Sequence, residues 1–188
     1  MPAPKDPEVD EPRWLTDDQL ATWRGFMKLL QRLPAALEAQ LQQDSKLSLL
    51  EYHALAHLSD QPGRRMRLSE LATLATTELS RLSHLIGRLE NRGFVHREPD
   101  PENGRYTLAV LTEAGYAHLA GAAPAHVERV LTLFVDVLTP HELRTLHRIS
   151  GKVLDRIDSG PSRSATGTLI STTGHESSGN LPRQNHSA

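Results

Sequence analysis

The chain has 188 residues, enough for one well-cored domain with extensions, and 38% of them are hydrophobic. No apolar run approaches the ~18–20 residues that span a bilayer, and the N-terminus MPAPKDPEVDEPRW lacks the basic start and apolar middle of a signal peptide. We therefore expect a cytoplasmic protein with no membrane contact. The absence of cysteine excludes disulfides, thiolate metal ligands and a thiol redox switch.

Charge is unevenly distributed along the sequence. The formal net charge of the chain is −2, but residues 61–97 contain seven arginines and three glutamates, a local net charge of +4. The remainder therefore carries −6. A basic segment on an acidic body is typical of a protein that docks one defined face on nucleic acid, whereas a solvated charged surface is the plainer alternative.

The predicted elements begin after residues 1–13, a Pro-rich and charged N-terminus that we expect to be flexible. The capping box Thr16-Asp-Asp-Gln19 starts a helix over residues 16–43, which Pro34 is expected to kink or interrupt. Its apolar stripe is wider than one small core needs, which favours dimerisation over packing on its own domain alone. The stripe contains Leu20, Trp23, Phe26, Met27, Leu30 and Leu33.

A helix, a turn, a minimal strand and a short helix follow, and the last three lie within the basic segment. A second capping box, Ser48-Leu-Leu-Glu51, opens a helix over residues 49–60, and the turn QPGRR follows it. Met66-Arg67-Leu68 is predicted to form a minimal strand. Ser69 then caps a short helix that ends near Thr76.

The next helix has two unlike faces and ends at Gly93. At ~100° per residue, its apolar side falls within about a third of the circumference. That side consists of Leu79, Leu82, Leu85, Ile86 and Leu89. The opposite side has no acidic residue and suits phosphates and base edges better than bulk water. It consists of Ser80, Arg81, His84, Gly87, Arg88 and Asn91.

A hairpin follows this amphipathic helix. Phe94–Arg97 and Arg105–Leu111 are predicted to be strands, joined by a long, charged and projecting connection. Asn103-Gly104 is expected to supply the left-handed residues of its turn.

The rest of the chain is predicted to be helical and then disordered. Thr112 caps a helix that is expected to bend near Gly121 and Pro124. Thr139-Pro-His-Glu142 opens the last helix, which runs to about Ile157. The Ser/Thr/Gly-rich residues 159–188 are expected to form a disordered tail.

A helix, a short turn, an amphipathic helix, a glycine and a projecting hairpin together describe a winged helix-turn-helix. The chain resembles the MarR family of dimeric bacterial transcription regulators from about Trp14 to Ile157. The matching segments are WLTDDQLATWRGF, LSLLEYHALAHLSD, RRMRLSELA, SRLSHLIGRLENRGFVHRE and NGRYTLAVLTEAG. The resemblance implies a mainly α fold with a small β-wing in a domain of residues 14–158. The winged helix would cover 48–111, and the helices at 16–43 and 112–158 would form a dimerisation region.

The resemblance also implies a function: a homodimeric, ligand-responsive repressor that binds a pseudo-palindromic operator in double-stranded DNA. In the recognition helix, Ser80, Arg81, Ser83, His84 and Arg88 would lie at the major groove, and Arg105 would be the wing arginine in the minor groove. Family wings commonly have Asp-x-Arg where this chain has Asn103-Gly104-Arg105, and an amide cannot form an ion pair. The phosphate candidates are Arg64, Arg65, Ser69, Thr76 and Thr77.

The same residues leave other hypotheses open. Trp23, Phe26, Met27 and Tyr52 are candidates for a pocket that binds a small-molecule effector, although core packing is the simpler role. His53 and His57 have a metal-compatible spacing, so zinc sensing is an alternative, but no third ligand is adjacent in sequence. A winged helix can also serve purely as a protein-interaction module. No catalytic triad order, phosphate-binding glycine loop or framed carboxylate pair occurs, so we predict neither catalytic residues nor a cofactor.

Overall fold

The computed structural model describes residues 12–160, which are mainly α-helical with one small antiparallel sheet, as predicted. The predictions of a flexible N-terminus and a disordered tail fall on residues that are almost entirely outside this range. Within it, no helix combines the length and apolarity that crossing a membrane requires. The elements are α1 (Asp17–Asp44), α2 (Leu49–Ser59), β1 (Arg65–Arg67), α3 (Leu68–Leu74), α4 (Leu79–Asn91), β2 (Val95–Pro99), β3 (Thr107–Leu111), α5 (Glu113–Val130) and α6 (Pro140–Asp158).

The first two helices begin at the predicted capping boxes. The Gln19 amide N–H donates to Thr16 Oγ1 over 3.3 Å, and Gln19 Oε1 accepts from the Thr16 amide over 3.0 Å. Pro34 lies inside α1, which continues through it as one helix, so the predicted interruption is absent. Proline removes a single backbone hydrogen bond from this 28-residue helix, and the two alanines that follow it favour helix.

The sheet places β3 between β1 and β2, with both pairs antiparallel. Ala109 of β3 lies opposite Met66 on one side and Arg97 on the other. The minimal strand predicted at Met66 is therefore present, one residue earlier than expected, and it attaches the wing hairpin to the start of α3.

One apolar core underlies α2, α3, α4 and the sheet. Four of the five apolar side chains predicted on the inner face of α4 are buried in it, but Leu79 is 50% exposed. Leu79 is the first residue of α4, one turn before the part of the helix that packs on the core. The buried members of the core include Leu55, Leu58, Leu71, Leu82, Leu85, Ile86, Leu89, Val95 and Leu111.

The start of α5 is fixed against the end of α4. Thr112 Oγ1 accepts from the Gly115 amide over 2.9 Å, and its hydroxyl donates to the Gly93 carbonyl over 2.7 Å. α5 continues through Gly121 and Pro124, and departs from α geometry only at residues 131–135, where a π-helical turn follows. The helix is therefore continuous at both residues, and the bend expected near Gly121 and Pro124 stays a prediction.

The last helix starts at its predicted cap: Thr139 Oγ1 accepts from the Glu142 amide over 3.3 Å, and Glu142 Oε2 accepts from the Thr139 amide over 2.8 Å. The first compact unit of the chain ends at Leu143. Within the second unit, α6 exposes apolar side chains that recur about once per helical turn. These are Ile149, Val153, Leu154 and Ile157.

Candidate nucleic-acid interface

The outer face of α4 carries the predicted base-reading residues. Ser80, Arg81, His84 and Arg88 are exposed, and Ser83 is half-buried. The core side chains of the same helix face the opposite way and fix its rotation. The order of apolar residues in α4 therefore determines which polar groups point outward.

Three clefts join this face to the residues before and after it. Arg81 lines the first two clefts, and Ser69 lines the first and third, so the three adjoin one another. The first lies between α3 and α4 and contains Ser69, Thr73, Thr76, Thr77 and Arg81. The second contains Ser80, Arg81, His84 and Arg88 beside Glu38, Ser48 and Leu50. The third joins Ser69, Leu79 and Ser83 to Arg105 and Tyr106 of the wing.

The turn between α3 and α4 depends on Thr76, whose φ of +49° is in the left-handed region. A β-branched residue rarely adopts this conformation, and it is held here by its neighbours. The Thr77 amide donates to the Ala72 carbonyl over 2.9 Å, which closes the turn. Both threonines consequently lie in the cleft beside Arg81.

The wing loop has a different conformation from the one predicted. Neither Asn103 nor Gly104 has a positive φ, so the expected left-handed turn is wrong. Asp100 organises the loop instead: its Oδ1 accepts from the Glu102 amide over 2.9 Å, and its carbonyl accepts from the Asn103 amide over 3.1 Å. Asn103 Oδ1 then accepts from the Arg105 amide over 3.2 Å. These side-chain and backbone bonds replace a type I′ turn.

Asp100 also braces the wing against α3. It is 5% exposed, and its carboxylate accepts a hydrogen bond from Nε of Arg67, the residue before α3. The Glu102 amide and then the Arg67 guanidinium hold the pKa of Asp100 below its ordinary value. The Arg67 guanidinium lies 4.9 Å from the centre of the Tyr106 ring. In this chain the ion pair that fixes the wing is therefore made by Asp100, three residues before Asn103.

Two of the predicted phosphate candidates have other partners. Arg64 Nη1 lies 2.8 Å from Glu113 Oε1, and its guanidinium stacks 3.8 Å from the centre of the Tyr116 ring. Arg65 Nη1 lies 3.5 Å from Glu98 Oε1. Neither arginine lines the three clefts. Exposed ion pairs of this kind contribute little and exchange readily, so both arginines remain phosphate candidates at the edge of the surface.

Several supporting residues were not singled out from the sequence. Arg97 of β2 donates from its amide to Glu90 Oε1 over 3.0 Å and from its guanidinium to the Ser83 carbonyl, which ties the wing strand to α4. Glu51 was recognised only as a capping residue. Its Oε1 accepts from Arg88 Nε over 3.2 Å. Glu90 and Ser83 lie 7 and 14 residues from Arg97, and Glu51 lies 37 residues from Arg88, so no local sequence pattern signals these contacts.

The four effector-pocket candidates do not line one cavity within a single chain. The Trp23 and Phe26 rings are 6.4 Å apart on the exposed side of α1. The Tyr52 ring instead lies 4.3 Å from the ring of His126, which bonds to Gln40 Oε1 over 3.1 Å. Trp23 and Gln40 are roughly 25 Å apart along α1 at ~1.5 Å per residue. The effector pocket stays a prediction.

The histidines near Tyr52 are more relevant to pH than to metal binding. Within residues 12–160, no group of three or more His, Cys, Asp or Glu side chains is arranged to hold a metal ion. Burial, followed by the charge of His53, lowers the pKa of His126. Burial and the charge of His57 lower the pKa of His53.

Acidification from pH 7.5 to pH 5.5 should therefore lower the free energy of unfolding. The unfolded chain binds protons at these histidines as the pH falls through about 6.5, whereas the folded chain resists them, so stability is lost below that pH. His126→Gln should reduce the difference in unfolding free energy between the two pH values, measured by urea denaturation. Gln31→Ala, an exposed change on α1 that removes no titratable group, should leave the difference unchanged. Equal differences in wild type, His126→Gln and Gln31→Ala would contradict this assignment.

Comparison with known proteins identifies the family. The MarR family model matches residues 47–107. Sco3205, a MarR family transcriptional regulator from Streptomyces coelicolor solved in complex with DNA, is 38% identical with a TM-score of 0.78, over 82% of this chain and 96% of that one. AbsC, a MarR family regulator from the same organism, is 37% identical with a TM-score of 0.75, over 78% of this chain and 99% of that one.

A curated relative supports the same assignment over a shorter segment. The transcriptional regulator HosA of Escherichia coli O111:H- is 34% identical over 74 residues, which are 39% of this chain and 53% of HosA. This chain thus matches about half the length of that relative. The near-complete alignments with Sco3205 and AbsC, on the fold and surface described above, show that the chain belongs to the MarR family of transcriptional regulators.

Proposed function

We propose that the protein is a cytoplasmic, sequence-specific DNA-binding regulator that represses by occupying a pseudo-palindromic operator as a homodimer. The observation that carries the proposal is the joined surface of α3, α4 and the wing, on which Ser69, Thr77, Arg81, Arg88 and Arg105 all line adjoining clefts. The related Sco3205 was solved in complex with DNA, which supports DNA binding as the function of this chain.

The residues of the surface divide into two roles by their chemistry. Ser80, Arg81, His84 and Arg88 project from the helix that would enter the major groove, where a guanidinium pairs with guanine and hydroxyls contact bases or phosphates. Ser69, at the start of α3, and Thr76 and Thr77, in the turn after it, would contact the flanking phosphates. Arg105, on the wing, would enter the minor groove, where narrow A·T tracts favour a guanidinium.

The homodimer rests on apolar surface that a monomer would leave in water. Trp23, Phe26 and Leu30 recur at i, i+3 and i+7 along α1, and all three are exposed. The second unit separately exposes the apolar side of α6. Contiguous exposed apolar surface of this kind marks interaction sites, and two-fold pairing would present two recognition helices to successive major grooves.

A small-molecule effector is part of the same proposal. α1 carries the proposed dimer surface near its start, and near its end Glu38 accepts from the Leu49 amide over 2.6 Å, at the first residue of α2. One continuous helix therefore connects the proposed dimer contact with the DNA-binding part, so a ligand that shifts α1 would change the spacing of the two recognition helices. A compound that stabilises the protein against heat yet changes operator affinity less than about twofold would count against this role.

Salt dependence tests the proposed DNA binding. The full chain, titrated onto a labelled 30-base-pair duplex selected from a random pool, should lose about 10³–10⁵ in affinity between 50 and 200 mM salt if it makes six to ten phosphate contacts. Arg65→Gln, at a phosphate candidate, should make the dependence shallower, while Arg129→Gln, an exposed change on α5, should not. Salt-insensitive binding, or no duplex binding, would contradict the proposal and favour a protein-interaction module.

A further inference from the structure

We propose that Glu51 is a positioning residue that sets the base specificity of Arg88, an inference that rests on the proposed DNA binding. Glu51 belongs to α2, outside the recognition helix, and is only 6% exposed. Both of its carboxylate oxygens are used. Oε2 accepts from the Ser48 amide over 2.9 Å, and Oε1 accepts from Arg88 Nε over 3.2 Å.

Capping alone does not explain a buried carboxylate at this position. The third helical residue of a capping box needs only an acceptor, which glutamine supplies as well as glutamate. α1 of this chain does so: Gln19 Oε1 accepts from the Thr16 amide over 3.0 Å. A buried charge is costly to desolvate unless it is paired. The charge of Glu51 is therefore accounted for by the arginines of the recognition helix.

Of the two arginines near Glu51, Arg88 depends on it more. Arg92 Nη1 is 3.9 Å from Glu51 Oε2, and it also donates to the Lys46 carbonyl over 2.9 Å and stacks on the Phe94 ring. Within the described part of the chain, Arg88 has no other hydrogen-bond or ion-pair partner than Glu51. Removing the carboxylate would release Arg88 while Arg92 kept two of its contacts.

The contact leaves the reading edge of Arg88 free. Arg88 donates from Nε to Glu51 on its buried side, so its two Nη groups remain available. The Arg88 side chain is 59% exposed. Two parallel N–H groups at the end of a guanidinium match O6 and N7 of guanine in the major groove. A guanidinium that is fixed at Nε loses fewer conformations on binding a base than an unfixed guanidinium does. It also adjusts less easily to a phosphate whose position varies. The geometry therefore favours base reading over phosphate contact.

The test uses the full chain and two duplexes that differ only at the base pair that Arg88 reads. That pair is located as the position at which Arg88→Ala abolishes discrimination. Wild type should prefer guanine over adenine there by about 10-fold or more, as expected for a bidentate contact. The glutamine of Glu51→Gln has one acceptor oxygen where the carboxylate has two. This variant should therefore reduce the preference for guanine to about twofold, with little change in affinity for the adenine duplex. In the Arg88→Ala background it should change the preference no further.

Ser48→Ala is the matched control, because it removes the other half of the same capping box without touching the carboxylate. It should lower thermal stability but keep the guanine preference. Glu51→Asp keeps the charge and withdraws it by one methylene, so it should reduce the preference partly. If Glu51→Gln fails to fold, the guanine preference of Glu51→Asp provides the test instead.

Three results would overturn the inference. In the first, Glu51→Gln keeps the full preference for guanine, or Glu51→Asp keeps it if only that variant folds. In the second, Ser48→Ala loses as much preference as the Glu51 variants, which would reduce Glu51 to a cap. In the third, no base pair loses discrimination in Arg88→Ala although wild type binds selected duplexes specifically. Absence of specific duplex binding by wild type would instead refute the proposed function itself.

Discussion

Leu30→Asp should convert the protein from a dimer to a monomer and weaken its binding to a two-half-site operator by at least about 100-fold. Leu30 is 50% exposed on the apolar side of α1, between Phe26 and Leu33. An aspartate at that position would be buried without a partner in the dimer, whereas in the monomer it stays in water. The operator loss follows because each half-site would then be bound by an independent domain.

Sedimentation velocity measures the mass, and fluorescence anisotropy measures the affinity for the duplex, both at the same protomer concentration. Gln31→Asp places the same charge on the next residue of α1, about 100° around the helix, and is the matched control. It should remain dimeric and bind as wild type does. A mass of two chains for Leu30→Asp would contradict the proposed dimer surface. A monomer that keeps the operator affinity would contradict the need for two half-sites.

Gly115→Ala should lower the free energy of unfolding by about 3 kcal/mol, at the upper end of the usual cost of overpacking. A Cβ on Gly115 would lie 2.1 Å from the Phe94 carbonyl oxygen and 2.8 Å from Leu111 Cδ1. A backbone carbonyl cannot rotate away as a flexible side chain does. The start of α5 would have to move from the junction between α4 and β2, and the Thr112 cap would move with it.

Gly121→Ala is the control on the same helix, since its Cβ would meet nothing within 4 Å. Alanine should stabilise α5 there by about 0.5–1 kcal/mol because it is the better helix former. Urea denaturation at one fixed protomer concentration compares the two variants with wild type. Equal unfolding free energies for Gly115→Ala and Gly121→Ala would show that α5 is not packed as described.

The elements of this fold could be predicted because their signals are local. The capping boxes at Thr16 and Ser48 indicate where helices begin, and each involves only residues that are three apart in the chain. The apolar spacing of α4 likewise defines its outer face, so the sequence alone assigns Arg81, His84 and Arg88 to one surface. The same spacing misplaced Leu79, because periodicity does not say where along a helix the core ends.

The contacts that hold the candidate site together are not local, and the sequence did not reveal them. Glu51 and Arg88 are 37 residues apart, and Arg67 and Asp100 are 33 apart. The dipeptide Asn103-Gly104 at the wing tip is typical of a left-handed turn, and that prediction was wrong. Asp100 satisfies the loop amides instead and makes that turn unnecessary.

Selection of bound duplexes from a random pool tests most directly whether two copies of this winged helix read one operator. The dimer should enrich two inverted copies of a short motif, with centres one helical turn or a whole multiple of turns apart, at about 10–10.5 base pairs per turn. Inserting five base pairs between the halves should abolish tight binding, since it turns one half-site to the opposite face of the duplex. A pool without an enriched motif, or a motif that binds equally tightly at any spacing, would contradict recognition of one operator by two copies.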